Sequence, residues 1–170
     1  MMWIIVITAA VFAAGGAAIY VIRSSRKAEM QKYYDAAYKM IKENCLNNAI
    51  RNQSVPAYGG LKVMVYLKWK DRQKQGFVFD PEHGIRIGRS PGENEICIRD
   101  GAVSGQHCVI FVSGGRLAVQ DLNSANGTWI QRGFWKHAVE TAEFLCSGDR
   151  LAVGTLKIQV TVFTFDMAYI

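Results

Sequence analysis

The chain has 170 residues, about half of them apolar, and carries a formal net charge of +6. This length predicts one folded domain with an appended segment, and the positive charge suits nucleic acid, an anionic membrane or a phosphorylated partner without choosing among them. Its four cysteines, Cys45, Cys97, Cys108 and Cys146, lack CxxC or CxxH spacing, which argues against a zinc site or a disulfide framework and favours a reducing compartment.

The amino-terminal segment is predicted to span a membrane. Residues 3–22, WIIVITAAVFAAGGAAIYVI, contain no charge, and about 20 such residues in a helix cross a bilayer core of roughly 30 Å. A cleaved signal peptide would need a basic start and a shorter apolar run, so we assign residues 1–22 as a signal anchor. Arg23, Arg26 and Lys27 follow the run and nothing positive precedes it, which predicts a single-pass protein of the cell membrane with a cytoplasmic carboxyl-terminal domain.

Small residues recur every four positions in this segment, around Gly15 and Gly16. Such a pattern lets two helices approach closely and would allow a homodimer. Small residues are also common in spanning helices that do not associate, so both interpretations stay open.

Residues 23–54 are predicted to form a juxtamembrane amphipathic helix. Tyr34, Tyr38, Ile41 and Cys45 follow the three-and-four spacing of one helical face. The helix could lie along anionic headgroups, stand as a stalk or pack on a partner helix, and a stalk is the default expectation. Pro and Gly residues in SVPAYGG predict a linker over residues 55–60.

Residues 61–166 are predicted to be all β. Short β-rich runs are separated by turn signals, which favours a sandwich or barrel. The nine runs are LKVMVYLKW, GFVFD, GIRIGR, EICIRD, HCVIFV, RLAVQDL, TWIQ, DRLAVG and LKIQVTVFTF. The segment QRGFWKHAVE is predicted to be a loop whose Phe134 and Trp135 either cover the sandwich edge or form an exposed partner patch.

Three polar residues at predicted strand ends have the chemistry of an anion site. Arg89 ends IRIGR, Ser104 precedes HCVIFV, and Asn126 lies between RLAVQDL and TWIQ. A guanidinium fork, a hydroxyl and an amide would converge well on one phosphate. The sequence does not show whether these strand ends meet at one edge.

Residues 85–133 carry GR, SxxH and DLxSxNGT elements in order, and LCSGDRLAVG supplies a later GDxLxxG segment. With these motifs, residues 61–165 resemble the forkhead-associated (FHA) domain. The resemblance implies a β-sandwich of about eleven strands in two sheets that binds phosphothreonine peptides through loops at one end, without catalysis. We also predict no cofactor.

The resemblance also implies roles for single residues. Arg89 would contact the phosphate, Ser104 would donate a hydroxyl hydrogen bond to it, and Asn126 would hold the backbone of the bound peptide. The positions that would shape the loops are Gly88, His107 and Gly127.

Three positions depart from the pattern of some family members. Gly105 and Ala102 stand where a basic or amide side chain can add a phosphate contact, and Ala125 stands where a threonine is frequent. Gly105 and Ala125 would still line the peptide site. We expect weaker or more backbone-dependent binding, and a phosphate-independent interaction surface is the alternative.

Catalysis and metal binding are weaker interpretations. Ser104 and His107 with Asp100 or Asp121 invite comparison with a hydrolase triad, but residues three apart on a strand face opposite ways and no GxSxG motif is present. A metal site is opposed by irregular spacing, and core packing is the better account of its candidate ligands. These candidates are Cys97, His107, Cys108 and Cys146.

A basic cluster in LKWKDRQKQG is the remaining candidate site. Lys68, Lys70, Arg72 and Lys74 could contact nucleic acid, but they fall at a predicted hairpin without interleaved stacking aromatics. We therefore predict no nucleic-acid partner and a solvated, membrane-facing loop.

Together these features predict a membrane-anchored adaptor that binds phosphothreonine-containing proteins. One amino-terminal span followed by this domain is similar to bacterial membrane-anchored FHA proteins that serve Ser/Thr kinase signalling and cell-envelope synthesis or division. The alternative is a structural assembly protein that oligomerises through Gly15, Gly16 and the alanines around them and binds an unphosphorylated membrane partner.

Overall fold

A computed structural model of the chain describes the backbone of residues 2–50 and 60–169, and the side chains of residues 15–44, 47 and 60–168. The predicted linker, residues 55–60, lies outside the described residues except for Gly60. Cys45 also lies outside the residues with described side chains.

The described backbone contains one helix and eleven strands. In chain order they are α1 (Met2–Ile50), β1 (Leu61–Lys70), β2 (Lys74–Phe79), β3 (Ile85–Gly88), β4 (Ile96–Cys97), β5 (Cys108–Ser113), β6 (Arg116–Asp121), β7 (Thr128–Arg132), β8 (Trp135–Ala138), β9 (Glu143–Phe144), β10 (Arg150–Val153) and β11 (Leu156–Asp166). Single 3-10 turns occur at Pro81–His83 and Met167–Tyr169.

The strands form a six-stranded sheet, in the order β2-β1-β11-β10-β7-β8, and a five-stranded sheet, in the order β4-β3-β5-β6-β9. Neighbouring strands are antiparallel except for the parallel pair of β3 and β4. The predicted all-β sandwich of about eleven strands in two sheets is confirmed.

Apolar side chains from both sheets form one core between them. Leu67, Ile87, Ile110, Leu151 and Ile158 are each essentially inaccessible to solvent. Their strands show the alternation of a surface with one buried face, since successive side chains point to opposite sides of a strand. The core therefore fixes which residues of the six-stranded sheet point outward.

Helix α1 packs on the outer face of the six-stranded sheet. Tyr33, Ala37 and Ile41 are buried against a second apolar cluster on the sheet. The other buried members of this cluster are Met64, Phe163 and Phe165 of the sheet and Met167 of the 3-10 turn that follows β11. The sequence analysis expected this helical face to belong to a stalk, and the structure places it on the chain's own sheet instead.

Aromatic contacts set the position of the helix. Tyr33 stacks on Tyr66 with ring centroids 4.2 Å apart, and the hydroxyl of Tyr34 donates to the carbonyl oxygen of Thr164 at 3.0 Å. The helix therefore covers the outer face of the carboxyl-terminal part of β11, where Phe163 points at it, while Leu156 and Ile158 of the same strand point into the sandwich.

The amino-terminal part of α1 leaves the sheet. Of the predicted span, only residues 15–22 have described side chains, and Ile19, Tyr20, Val21 and Ile22 are between 52% and 74% exposed. Within the part of the chain described with side chains, no helix is long and apolar enough to cross a membrane. Most of residues 3–22 and of the proposed dimerisation face lies outside that part.

The structure corrects the prediction of a loop at QRGFWKHAVE. Trp135–Ala138 form β8, an edge strand paired with β7, and the turn between the two strands is Gly133 and Phe134. Phe134 and Trp135 are 104% and 82% exposed, so they do not cover the edge of the sandwich. The prediction missed β8 because an edge strand with exposed Trp135 and Lys136 and no fully buried residue lacks a buried alternate face.

Candidate functional site

Three loops converge at one end of the sandwich. They follow β3, β4 and β6, and together they carry the predicted site residues. The backbone N–H of Arg89 donates to the carbonyl oxygen of Ser104 at 2.8 Å, which joins the first two loops. The backbone N–H of Ala125 donates to Ser104 Oγ at 3.0 Å, which joins the third loop to the second. The structure thus brings Arg89, Ser104 and Asn126 to one edge.

Arg89 is the exposed cation of this edge. It follows the last residue of β3, and its side chain takes part in none of the ion pairs formed by the described residues. Its backbone is held on both sides, because its carbonyl oxygen also accepts from Cys97 Sγ at 3.4 Å. The guanidinium therefore projects from a fixed backbone with its five donors available.

Gly88 permits the close approach of the first two loops. A Cβ atom at this position would lie 2.2 Å from the carbonyl oxygen of Gly105 and 2.7 Å from Asn94 Oδ1. Neither partner can move freely, because the Asn94 amide donates to the carbonyl oxygens of Ser90 and Gly105 at 2.9 and 2.8 Å. A side chain at position 88 would push the loops apart.

Ser104 contributes its hydroxyl to the centre of the edge. Its Oγ accepts from the Ala125 N–H, so its own hydrogen stays available for an incoming acceptor. Its backbone N–H donates to Nδ1 of His107 at 3.1 Å. Ser104 thus joins the loop after β4 to the loop after β6 and presents its hydroxyl hydrogen outward.

His107 is a buried scaffold residue. It is 0% exposed, its Nδ1 accepts from the Ser104 N–H, and its Nε2 lies 3.3 Å from the carbonyl oxygen of Gly127. These partners define a neutral ring with the proton on Nε2. Neither ring nitrogen is left to deprotonate Ser104 Oγ or to bind a metal, which argues against the hydrolase and metal interpretations.

The side-chain amide of Asn126 uses its nitrogen within the protein and leaves its oxygen available. Its Nδ2 donates to the carbonyl oxygen of Ala102 at 2.8 Å, while the side chain as a whole is exposed. The amide oxygen can still accept a hydrogen bond from a ligand backbone. Gly127 follows with φ of 69°, in the left-handed region that glycine adopts without strain.

Asp121 organises the loop that carries Asn126. Its carboxylate accepts hydrogen bonds from the Ser124 N–H at 2.8 Å, from Ser124 Oγ at 2.7 Å and from the Thr128 hydroxyl. Burial acts to raise the pKa of Asp121, but the hydrogen bonds from Thr128 and Ser124 outweigh it and the net pKa lies below the ordinary value. The residue is the Asp of the DLxSxNGT element, which the sequence analysis weighed only as a carboxylate of a hydrolase triad.

Two of the three departures from the family pattern, Gly105 and Ala125, have different structural consequences. A Cβ atom at Gly105 would lie 2.9 Å from Ser90 Oγ, so the Ser90 hydroxyl occupies the space where a residue-105 side chain would begin. Ala125 is exposed and contributes its backbone N–H to the loop contact. Ser90 was missed by the sequence analysis, since only the path of the loop brings it beside Gly105.

The Asp100 carboxylate holds the loop that follows β4 in place by hydrogen bonds. Asp100 accepts from the Ala102 N–H at 2.9 Å and from the Thr155 hydroxyl at 2.5 Å. The hydrogen bond from Thr155 is the main reason that the pKa of Asp100 lies below its ordinary value. This contact ties the turn between β10 and β11 to the site.

The prediction that the cysteines pack in the core holds for only one of the three with described side chains. Cys108 is buried, and burial raises the pKa of its thiol to about 12, as expected for a core thiol. Cys97 and Cys146 are exposed, so core packing does not account for them.

Comparisons with known proteins agree on the domain. The sequence profile described as "FHA domain" matches residues 85–154. An FHA domain-containing protein of Arabidopsis thaliana is 32% identical over 95 residues, which are 56% of this chain and 24% of that protein. The chain therefore spans about a quarter of the curated relative that it matches.

Two solved structures show the same likeness. The FHA domain of an Arabidopsis thaliana hypothetical protein aligns with a TM-score of 0.50 and 27% identity, over 62% of this chain and 87% of that domain. EmbR of Mycobacterium tuberculosis, solved in complex with a low-affinity phosphopeptide, aligns with a TM-score of 0.50 and 26% identity, over 58% of this chain and 24% of EmbR.

Proposed function

Because residues 85–154 form an FHA domain, we propose that this protein is an adaptor that binds phosphothreonine-containing segments of partner proteins. The observation that carries the proposal is the exposed guanidinium of Arg89, held by its backbone beside Ser104 at the edge where three loops meet. The phosphopeptide bound to EmbR supports the same chemistry for a related domain.

The site distinguishes a phosphorylated side chain from a bare hydroxyl by charge and by donors. Phosphorylation adds nearly two negative charges and three acceptor oxygens. Arg89 supplies the opposite charge, and Ser104 supplies its free hydroxyl hydrogen to one of the oxygens. An unmodified threonine offers neither the charge nor the acceptors.

The peptide backbone is held by the third loop. The amide oxygen of Asn126 accepts a backbone N–H next to the phosphothreonine, while its Nδ2 stays on Ala102. Gly105 and Ala125 line the same edge without polar side chains, so binding relies on Arg89, Ser104 and backbone groups. A moderate affinity follows from this small set of contacts.

Membrane attachment would let a site of moderate affinity recruit its partner effectively. Residues 3–22 carry no charge and are followed by Arg23, Arg26 and Lys27, which supports a single-pass anchor in the cell membrane with a cytoplasmic domain. Tethering raises the effective concentration of the partner at the membrane. The role we infer is recruitment in Ser/Thr kinase signalling linked to the cell envelope or division.

The proposal is tested by binding of the full chain to paired threonine and phosphothreonine peptides, measured by fluorescence anisotropy. We expect binding of the phosphorylated member alone, and a loss of about tenfold to hundredfold in affinity for Arg89→Ala, the range for hydrogen bonds to a charged group. Arg99→Ala, at another exposed arginine near the second loop, is the matched control and should change little.

Equal binding of both peptides, unaffected by Arg89→Ala, would refute phosphate recognition. That result would favour the structural assembly protein instead.

A further inference from the structure

One half of the outer face of the six-stranded sheet is cationic. Gln159 pairs with both Lys68 and Arg150, and Gln131 pairs with both Arg150 and Lys136. Directly paired residues of antiparallel strands project from the same face. Lys74 pairs with Lys70, and Lys157 pairs with Ala152, in the row nearer the turn between β10 and β11. The cationic face, as we call it, comprises Lys68, Lys70, Lys74, Lys136, Arg150 and Lys157.

The positive charge of this face is not compensated within the described structure. None of the six residues takes part in an ion pair there. Lys70 and Lys74 lie directly opposite each other, and like charges in that arrangement destabilise a sheet. These lysines lower the stability of the sheet but concentrate positive charge on one surface. Such a surface is suited to binding an anionic partner.

The cationic face begins at the phosphothreonine site. Trp129 Nε1 donates to the carbonyl oxygen of Asn126 at 3.3 Å, and Lys136 Nζ lies 4.6 Å from the centroid of the Trp129 ring. Trp129 in turn pairs with Ala152, the neighbour of Lys157. A chain bound at Asn126 therefore reaches the cations without crossing the sandwich.

The shape of the surface favours a single extended chain. Helix α1 covers the other half of the outer face and stands about 10 Å above it. Arg26, Glu29 and Tyr33 of the helix line a corner cavity of about 370 Å³ with Lys68 and Gln159 of the sheet. The Glu29 carboxylate there accepts from the Tyr33 hydroxyl and forms no ion pair with Lys68. A planar membrane cannot enter such a step, whereas an extended polypeptide fits beside the helix.

The length of the face sets the length of the ligand. The row from Trp129 on β7 to Lys74 on β2 crosses β10, β11 and β1. Four spacings between strands are about 19 Å, which about six extended residues cover. Single-stranded nucleic acid would require several stacking rings, and among the described residues this half of the face offers Trp129 and the partly buried Trp69, which lines a cavity between the cations.

We propose that the cationic face binds a run of Asp and Glu residues next to the phosphothreonine of the partner. This inference rests on the proposed function, since the phosphothreonine positions the acidic run. The protein would then select phosphorylated partners by the charge of the flanking sequence, a property that the loop residues alone do not supply.

The test measures full-chain binding to three phosphothreonine peptides, with six acidic residues before the phosphothreonine, six after it, or neutral residues on both sides. One acidic peptide should bind about tenfold more tightly than the neutral one at low salt. The triple variant Lys70→Glu, Lys74→Glu, Lys157→Glu should abolish that advantage and leave the neutral peptide within about twofold. The matched control reverses Lys32, Lys39 and Lys42 to Glu on the exposed side of α1, with the same change in net charge.

The outcomes separate the two proposals. If the neutral phosphopeptide binds but neither acidic run adds affinity, the cationic face has no such role while the phosphothreonine site stands. If the neutral phosphopeptide does not bind, the proposed function fails and the inference fails with it. Tighter binding of a single-stranded oligonucleotide than of either acidic peptide, lost in the triple variant, would replace the inference with a nucleic-acid surface. Circular dichroism confirms that each variant is folded.

Discussion

Single side chains decide how closely the loops of the site approach one another. Gly88 leaves no room for a Cβ atom, His107 holds backbone groups of Ser104 and Gly127, and Asp121 gathers the loop that carries Asn126. These residues position Arg89 and Ser104 without being needed at the phosphate. The geometry of the site is therefore sensitive to residues that would not touch the ligand.

Gly88→Ala tests this sensitivity. The new methyl group would lie 2.2 Å from the carbonyl oxygen of Gly105, so we expect a loss of about 1–3 kcal/mol in the free energy of unfolding, measured in urea, and weaker phosphopeptide binding. Gly101→Ala is the control, since a Cβ there has nothing within 4 Å. Equal stability of the two variants would contradict the close approach.

At this scale the motif residues come together as the resemblance implied. The structure brings Arg89, Ser104 and Asn126 to one edge, which the predicted strand ends alone left open. Ser90 and Asn94 could not be found in that way. Their contacts depend on how the loop after β3 folds back on Gly105. A local sequence pattern does not predict that path.

At the scale of elements, a charged pair joins the strands away from the loops. Arg132, at the end of β7, donates to the Asp149 carboxylate at 2.8 and 2.7 Å, just before β10 begins. Burial acts to raise the pKa of Asp149, and the hydrogen bonds from Arg132 and the Cys146 N–H lower it further than burial raises it. Asp149 is the Asp of the GDxLxxG segment, and its side chain is 2% exposed.

This pair predicts a pH dependence of stability. A carboxylate with a lowered folded-state pKa stabilises the fold above its unfolded-state pKa, about 3.9, and that stabilisation is lost as the pH falls through the folded-state pKa. Asp149→Asn should cost about 1–3 kcal/mol at neutral pH and flatten the decline of the unfolding free energy below about pH 4. Asp71→Asn, in the turn between β1 and β2, should leave the profile unchanged. A profile for Asp149→Asn that parallels the wild type would contradict the assignment.

Helix α1 is predicted to be a structural part of the domain. Ala37 is 0% exposed against the sheet, while its neighbour Ala36 is exposed. Ala37→Arg should cost about 2–4 kcal/mol and lower the amide protection of residues 30–41 in hydrogen exchange, because it places a charge in an apolar cluster. Ala36→Arg should do neither, and a matching loss there would show that the helix does not pack by this face.

The elements differ in how far the sequence could predict them. Strands β1 and β11 alternate clearly and were expected within a few residues. Strand β8 was not, because its exposed Trp135 and Lys136 lack an apolar face. The helical face of α1 was recognised, but the surface it covers was not, since Met64 and Phe163 become visible as a second apolar patch only once the register of β1 and β11 is known.

At the scale of the whole molecule, the loops of the site and the contact with the helix lie on different parts of the sandwich. Helix α1 rests on β1 and β11, whereas the loops that follow β3, β4 and β6 carry the site. The arrangement leaves Arg89 exposed while the helix is docked. Partner binding and attachment through the amino terminus are therefore sterically compatible.

Membrane attachment is a separate prediction. The full chain should sediment with membranes and resist extraction at high salt and alkaline pH, because residues 3–22 would lie in the bilayer. Removal of residues 3–22 should release it to the soluble fraction, whereas Arg89→Ala should not. Extraction of the full chain by alkaline buffer alone would contradict an integral anchor.

The central claim is that three loops form one phosphothreonine site, and the most direct measurement is a two-dimensional NMR titration of the full chain with a phosphothreonine peptide and its unphosphorylated partner. The account predicts that only the phosphopeptide shifts the backbone amide signals of residues 89–90, 104–105 and 125–127 together, with one common affinity. Shifts that spare these residues, or that are the same for both peptides, would contradict it.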